Sequence, residues 1–167
     1  MLSLGFPPLI SPTARILVLG SLPGGRSIET SQYYANSKNA FWSIAALYHP
    51  SMPKIYSRRA VWLARRRVAI WDVLAGATRA GSLDANIAKD AIPNNFRALF
   101  HVYPNLKLIC FNGDKPSKLY RKFVMPKLSD EQRRIAQQTL PSTSSARASM
   151  TLEEKARRWR VVWQRAP

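Results

Sequence analysis

Four short apolar runs punctuate the chain. Arg15-Ile16-Leu17-Val18-Leu19-Gly20 and Arg67-Val68-Ala69-Ile70-Trp71 read as buried strands, as does Leu106-Lys107-Leu108-Ile109-Cys110-Phe111. Ile135 to Leu140 is a fourth, more polar candidate. Helical spacing fills the intervals. Phe41, Ile44, Ala45 and Tyr48 share one face of Asn39–His49, and Ala60, Leu63 and Ala64 share one face of Tyr56–Arg66. Pro93–Val102 and Pro116–Val124 follow, the latter with a first-turn proline. Ser129 with Gln132, and Thr151 with Glu154, form capping-box patterns. The helix opened by Thr151 has an apolar stripe at Leu152, Ala156, Trp159 and Trp163, with Lys155, Arg157, Arg158 and Arg160 assigned to its polar remainder. The stretch from Asp72 to Leu83, interrupted by Gly76 and Gly81, reads as loop with a helical turn.

Strands alternating with helices predict an α/β chain with a parallel sheet covered on both faces. In such sheets ligands bind beyond the carboxyl ends of the strands. That directs attention to the loops at 20–39, 71–84, 111–115 and 140–149.

At 167 residues the chain suits a single domain, 1–167. Its 26 Lys and Arg against 9 acids give a formal charge of +17, which attracts polyanions and favours nucleic acid as partner. The single cysteine, Cys110, lies in an apolar run and reads as core, consistent with a reducing compartment. Met1 to Pro12 has no basic leader, and no apolar run approaches a membrane span. The expectation is a cytoplasmic protein with no membrane association.

The first loop, Gly20-Ser21-Leu22-Pro23-Gly24-Gly25-Arg26-Ser27, is glycine-rich but matches neither the P-loop nor the dinucleotide fingerprint. Gln32-Tyr33-Tyr34-Ala35-Asn36-Ser37-Lys38-Asn39-Ala40-Phe41-Trp42 is more specific: aromatics and carboxamides together suit a pocket for an extruded base. The plain alternatives are that Phe41 and Trp42 are core and that Asn39 is a helix cap.

Gly20–Pro23 through Asn39–Trp42 resembles the first motif of the uracil-DNA glycosylase superfamily, in its hypoxanthine-DNA glycosylase branch (family six). The resemblance continues through Ala69-Ile70-Trp71-Asp72-Val73-Leu74, Gly81-Ser82-Leu83-Asp84, Phe111-Asn112-Gly113 and Leu140-Pro141-Ser142-Thr143-Ser144. It implies a three-layer α/β/α sandwich with a four-stranded parallel sheet. The implied activity is hydrolysis of the N-glycosidic bond of hypoxanthine or uracil in DNA, by a monomer needing neither metal nor organic cofactor. It further implies Asn39 as the catalytic residue, Phe41 stacked on the base, and Asp72 with Gly20 and Ser21 at the base edge. Pro141, Ser142, Thr143, Ser144 and Arg147 would then grip the DNA.

Four positions depart from the superfamily's pattern. Leu22 stands where several sister families place a water-handling Asp or Asn, and Leu140 where they place a histidine. Ser145 and Arg147 also replace the residues expected in this branch. These departures keep open a non-catalytic nucleic-acid-binding module on the same scaffold. A small-nucleotide enzyme using the glycine-rich loop is a third class.

Overall fold

A computed structural model describes residues 2–78, 91–145 and 149–164. Arg147 and the 81–84 segment of the resemblance lie outside the described residues. In chain order the elements are β1 (Leu2–Leu4), β2 (Ile16–Gly20), α1 (Gly25–Thr30), α2 (Phe41–Tyr48), α3 (Arg59–Arg65), β3 (Val68–Asp72) and β4 (Leu74–Thr78). Then come β5 (Ile92–Pro93), α4 (Phe96–Val102), β6 (Leu108–Asn112), α5 (Asp114–Phe123), α6 (Asp130–Arg133), β7 (Ala136–Leu140) and α7 (Leu152–Trp163).

The four expected strands form one parallel sheet in the order β3-β2-β6-β7. The connection from β2 to β3 runs one way across this order, and those from β3 to β6 and β6 to β7 run the other. Parallel crossovers are right-handed, so α1–α3 cover one face and α4 and α5 the other. The helix α7 joins the first layer, where the Tyr48 hydroxyl of α2 donates to the Ala156 carbonyl at 2.7 Å. This is the α/β/α sandwich. Being covered on both faces explains why β2 and β3 are almost continuously buried and apolar. Cys110 is wholly buried in β6, between β2 and β7.

The two edges of the sheet are treated differently. Leu9 exchanges backbone hydrogen bonds with Ile70, both at 2.9 Å, and so covers the outer edge of β3. β7 is the other edge, and its polar sequence Ala-Gln-Gln-Thr-Leu is what an exposed edge tolerates. That explains why it was the weakest strand by pattern.

A second, antiparallel sheet, β1-β4-β5, corrects the reading of 72–83 as loop with a helical turn. Its register pairs Leu4 with Gly76 and Leu2 with Thr78, about seventy residues apart. The partner of β4 comes from a remote part of the chain, so local composition gave no sign of it. The helix expected from Pro93 begins instead at Phe96, where the Asn95 side chain caps Ala98 N at 3.1 Å. Both capping boxes are present, at Ser129 and at Thr151.

Candidate active site

The carboxyl ends of β2 and β3 are laced together by backbone. Val73 N donates to the Gly20 carbonyl at 2.8 Å and Leu74 N to the Ser21 carbonyl at 3.1 Å. Asp72, which ends β3, is only 4% exposed, a burial that carboxylates rarely reach without a structural or functional partner. A Cβ on Gly20 would come within 2.5 Å of Asp72 Oδ1. Glycine at position 20 is therefore what lets the carboxylate rest against the neighbouring strand. Asn94 Nδ2 holds the Asp72 carbonyl at 2.8 Å, fixing the backbone that carries the acid.

The segment after α1 brings its aromatics to the same place. The Tyr33 hydroxyl donates to the Pro7 carbonyl at 3.0 Å. Burial pushes the phenol well above its ordinary range, and the Asp72 charge adds to this. Tyr34 has φ of 55°, a left-handed conformation that side chains seldom adopt. Its ring stacks on Phe41 with centroids 4.1 Å apart and planes 21° apart. Phe41 is wholly buried, with Trp42, Trp159 and Trp163 packed edge-on around it. The resemblance gave Phe41 the stacking role, but in this conformation the aromatic residues that meet the cavity are Tyr33 and Tyr34. Three tryptophan edges and one tyrosine face account for the ring of Phe41.

Asn39 stands just before Ala40, the N-cap of α2, and is a wall of the cavity. Its backbone N–H donates to Asn36 at 2.8 Å, and its Oδ1 accepts from Phe41 N at 3.0 Å, at the start of α2. A carboxamide oxygen accepts two hydrogen bonds. The bond to Phe41 fixes the side chain and leaves the second acceptor position and the amino group to the cavity, which Asn39 lines.

The loop after β7 is clamped from three sides. Asn112, ending β6, donates through Nδ2 to Thr143 Oγ1 and accepts from Thr143 N, both at 2.8 Å. The Thr143 carbonyl in turn accepts from Ala40 N at 2.9 Å, one residue beyond Asn39. Trp159 Nε1 donates to the Pro141 carbonyl at 2.9 Å. Gly113, with φ of 101°, lets Ser142 approach closely: a Cβ there would lie 3.0 Å from that of Ser142. Thr143 is wholly buried, so of the residues expected to grip DNA it serves as an internal strut, while Pro141, Ser142 and Ser144 line the cavity.

These walls enclose a cavity of about 890 Å³ that gathers Gly20, Ser21, Asn39, Asp72, Ser142 and Ser144 in one place. Leu22 and Leu140 also line it, both buried. Lys155 belongs to the same wall and is only 6% exposed, correcting its assignment to the solvated side of α7. The signal was present in the spacing. Position 155 falls three after Leu152 and four before Trp159, so it lies on the apolar stripe itself. His49 Nε2 donates to the Trp163 carbonyl, 3.1 Å away, and neither it nor His101 lines the cavity.

Among the described residues no group of three or more His, Cys, Asp and Glu side chains is placed to hold a metal ion. Nor is any helix among them long and apolar enough to cross a membrane.

Comparison with known proteins agrees with this architecture. The family model of the uracil DNA glycosylase superfamily matches residues 7–166. A hypoxanthine DNA glycosylase of Methanosarcina acetivorans is 35% identical over 146 residues, covering 81% of this chain and 92% of the relative. A hypoxanthine DNA glycosylase of Methanosarcina barkeri is 42% identical over 113 residues, 66% of this chain and 71% of the relative. The solution NMR structure of a candidate uracil DNA glycosylase from Methanosarcina acetivorans superposes with a TM-score of 0.77 at 32% identity. It covers 97% of this chain and 99% of that one.

Proposed function

The chain belongs to the uracil DNA glycosylase superfamily, and from that premise we propose that it removes deaminated bases, hypoxanthine foremost, from DNA by hydrolysing the N-glycosidic bond. Its relatives in two Methanosarcina species are named for that substrate. The observation that carries the reading for this chain is the convergence of Asn39, Asp72, Ser142 and Ser144 on one cavity at the carboxyl ends of a parallel sheet, in a chain of charge +17.

A base inside a duplex is out of reach, so the nucleotide must swing out of the stack into the cavity. Ser142 and Ser144 lie on the clamped loop, at the level where the backbone phosphates of the extruded nucleotide would pass. Hydroxyls and backbone N–H groups suit such contacts. Tyr34 offers a ring face to the base. Asp72, as a carboxylate, accepts the N1–H of hypoxanthine or the N3–H of uracil, while the backbone of Gly20 and Ser21 meets the remaining edge.

Bond cleavage leaves positive charge on the sugar and negative charge on the base. The carboxamide oxygen of Asn39 faces the sugar side, where it steadies the cation and holds a water for attack at C1′. It is a weak base, so its contribution is placement and electrostatics rather than proton abstraction. Its bond to Phe41 N sets that placement in advance. Every group invoked comes from one chain, so the reaction needs no second copy.

The test is a panel of duplexes bearing hypoxanthine, uracil, xanthine or a thymine mispair, incubated with the protein and treated with alkali to cleave abasic sites. Strand cleavage at hypoxanthine is expected. Salt-sensitive binding to every duplex with cleavage of none would instead identify a binding module on the same scaffold, the reading that Leu22 and Leu140 in the cavity wall would favour.

A further inference from the structure

The cavity presents a chemical gap. The departing base takes up the electron pair of the broken C1′–N bond, and a site that accelerates its departure needs positive charge or donors aimed at it. Leu22 and Leu140, which line the cavity, can supply neither, and both histidines lie elsewhere. Among the described residues the cations in the cavity wall are Arg26, Lys115, Lys155 and Arg158. Arg26 and Arg158 are exposed and Lys115 is half-buried, whereas Lys155 is 6% exposed.

The position of Lys155 follows from α7. Trp159 is bonded to the Pro141 carbonyl at 2.9 Å, which pins that face of the helix against the end of β7. Lys155 lies one turn earlier on the same face, and helical side chains lean toward the N-terminus. Its stem therefore runs along Pro141–Ser144, toward the cavity that its residue lines. Lysine is almost never this buried in a soluble domain unless its charge is partnered. In a chain with 26 basic residues, exposed arginines suffice for phosphate contacts. A buried ammonium acts in a medium of low effective dielectric, where its field on a nearby anion is strongest.

We propose that Lys155 is the electrostatic catalyst for base departure. This rests on the glycosylase reading above and adds to it a residue and a role. As the C1′–N bond breaks, its electron pair goes to the base, and the ammonium of Lys155 stabilises the anion that forms. Water oxygen bonds to C1′, and the proton it releases ends on the departed base by way of solvent. Lys155 keeps its proton throughout and forms no covalent bond.

The test compares wild type with Lys155→Met, Lys155→Gln and Lys155→Arg by single-turnover excision at saturating protein, on duplexes carrying hypoxanthine, uracil and 5-fluorouracil. Affinity for an undamaged duplex is measured across a salt series. Lys155→Met is expected to excise uracil and hypoxanthine about 100-fold more slowly. Its deficit should be several-fold smaller on 5-fluorouracil, a better leaving group that needs less stabilisation. Lys155→Arg should recover most of the rate, and the salt slope for undamaged DNA should not change.

The ratio of 5-fluorouracil to uracil rates within one variant does not depend on how much of that variant is folded, so a poorly folding preparation still answers the question. An equal deficit on all three bases would overturn the proposal, as would a salt slope shallower by about one with rates intact at saturation, the mark of a phosphate contact. Absence of excision by wild type on every duplex would refute the glycosylase reading itself, a distinct result.

Discussion

Two hollows in this protein are both rich in basic residues and differ in almost everything else. The first, at the carboxyl ends of the sheet, has walls of buried polar groups, with Ser21, Asp72 and Lys155 all under 7% exposed. Hydrogen bonds between its loops set those groups in place. The second, about 540 Å³, lies along α3 and is lined by Arg58, Val61, Trp62, Arg65 and Arg66 with Ser51, Pro53 and Ser57. Its charges ride on exposed or half-exposed side chains of α3 and the residues flanking it, and Val61 is 60% exposed beside them. Positive charge attracts DNA to both, but only the first has the fixed, dehydrated groups that chemistry requires. The contrast separates what composition predicts, which is attraction, from what architecture adds, which is placement.

The contrast can be broken or sharpened by substitution. The largest effect is expected from Asn39→Ala in the first hollow: a drop of about 100-fold in the single-turnover excision rate. Thermal melting should shift only as loss of one side chain–backbone hydrogen bond, that to Phe41 N, implies, about 1 kcal/mol. Undiminished excision by a folded Asn39→Ala would remove that residue from the mechanism.

Next is Asn112→Leu, which cuts the clip to Thr143 and so loosens the strut that ends at Ala40 N. We expect about a tenfold loss of rate at saturation, equivalent to roughly 1.4 kcal/mol of transition-state stabilisation. Asn112→Asp should restore much of it, because the Thr143 hydroxyl can turn to donate. If Asn112→Leu raises the half-saturation for DNA while leaving the saturated rate alone, the clip serves binding rather than placement.

Arg65→Ala and Arg66→Ala in the second hollow should change the excision rate by less than about twofold. Any loss of affinity should be equal on damaged and undamaged duplexes and should vanish at high salt. A rate effect matching that of Asn112→Leu would erase the distinction between the two hollows.

The smallest effect concerns pH. His49, packed against Trp62 and Trp163, is held below its usual range by burial and then by the Arg66 charge. A depressed folded pKa means the neutral ring is favoured in the fold. Its stabilising share is thus present above about pH 6.5, the ordinary histidine value, and is lost as pH falls through the lower folded value. Melting temperature should therefore decline slightly below pH 6.5, and the decline should flatten in His49→Gln. An identical pH profile for the two proteins would mean that His49 carries no such linkage.

β2, β3 and β6 were legible because each is buried on both faces, so apolar run and strand end coincide at Gly20 and Asp72, whereas the exposed edge strand β7 gave only a weak, polar pattern. β4 was not, because its partners, Leu2–Leu4 and Ile92–Pro93, are remote and its own composition of Ala, Gly and Thr is neutral. Asn39 was legible through the motif that contains it. Tyr34 was noted only as part of an aromatic cluster, since its left-handed backbone and its stacking on Phe41 are invisible to spacing. Thr143 was expected to grip DNA, and its role as a strut was hidden because its three hydrogen bonds converge from β6 and from the segment before α2. Lys155 was misread because charge was weighed before helical position.

The lone thiol gives the protein a clock of its own. Cys110 lies in the middle of β6, wholly shielded by strands on either side and helices above and below. An alkylating reagent can reach it only when the sheet comes apart, so the rate of labelling in native buffer reports how often the whole molecule opens. Movement of the loops at the ends of the sheet would leave that rate unchanged.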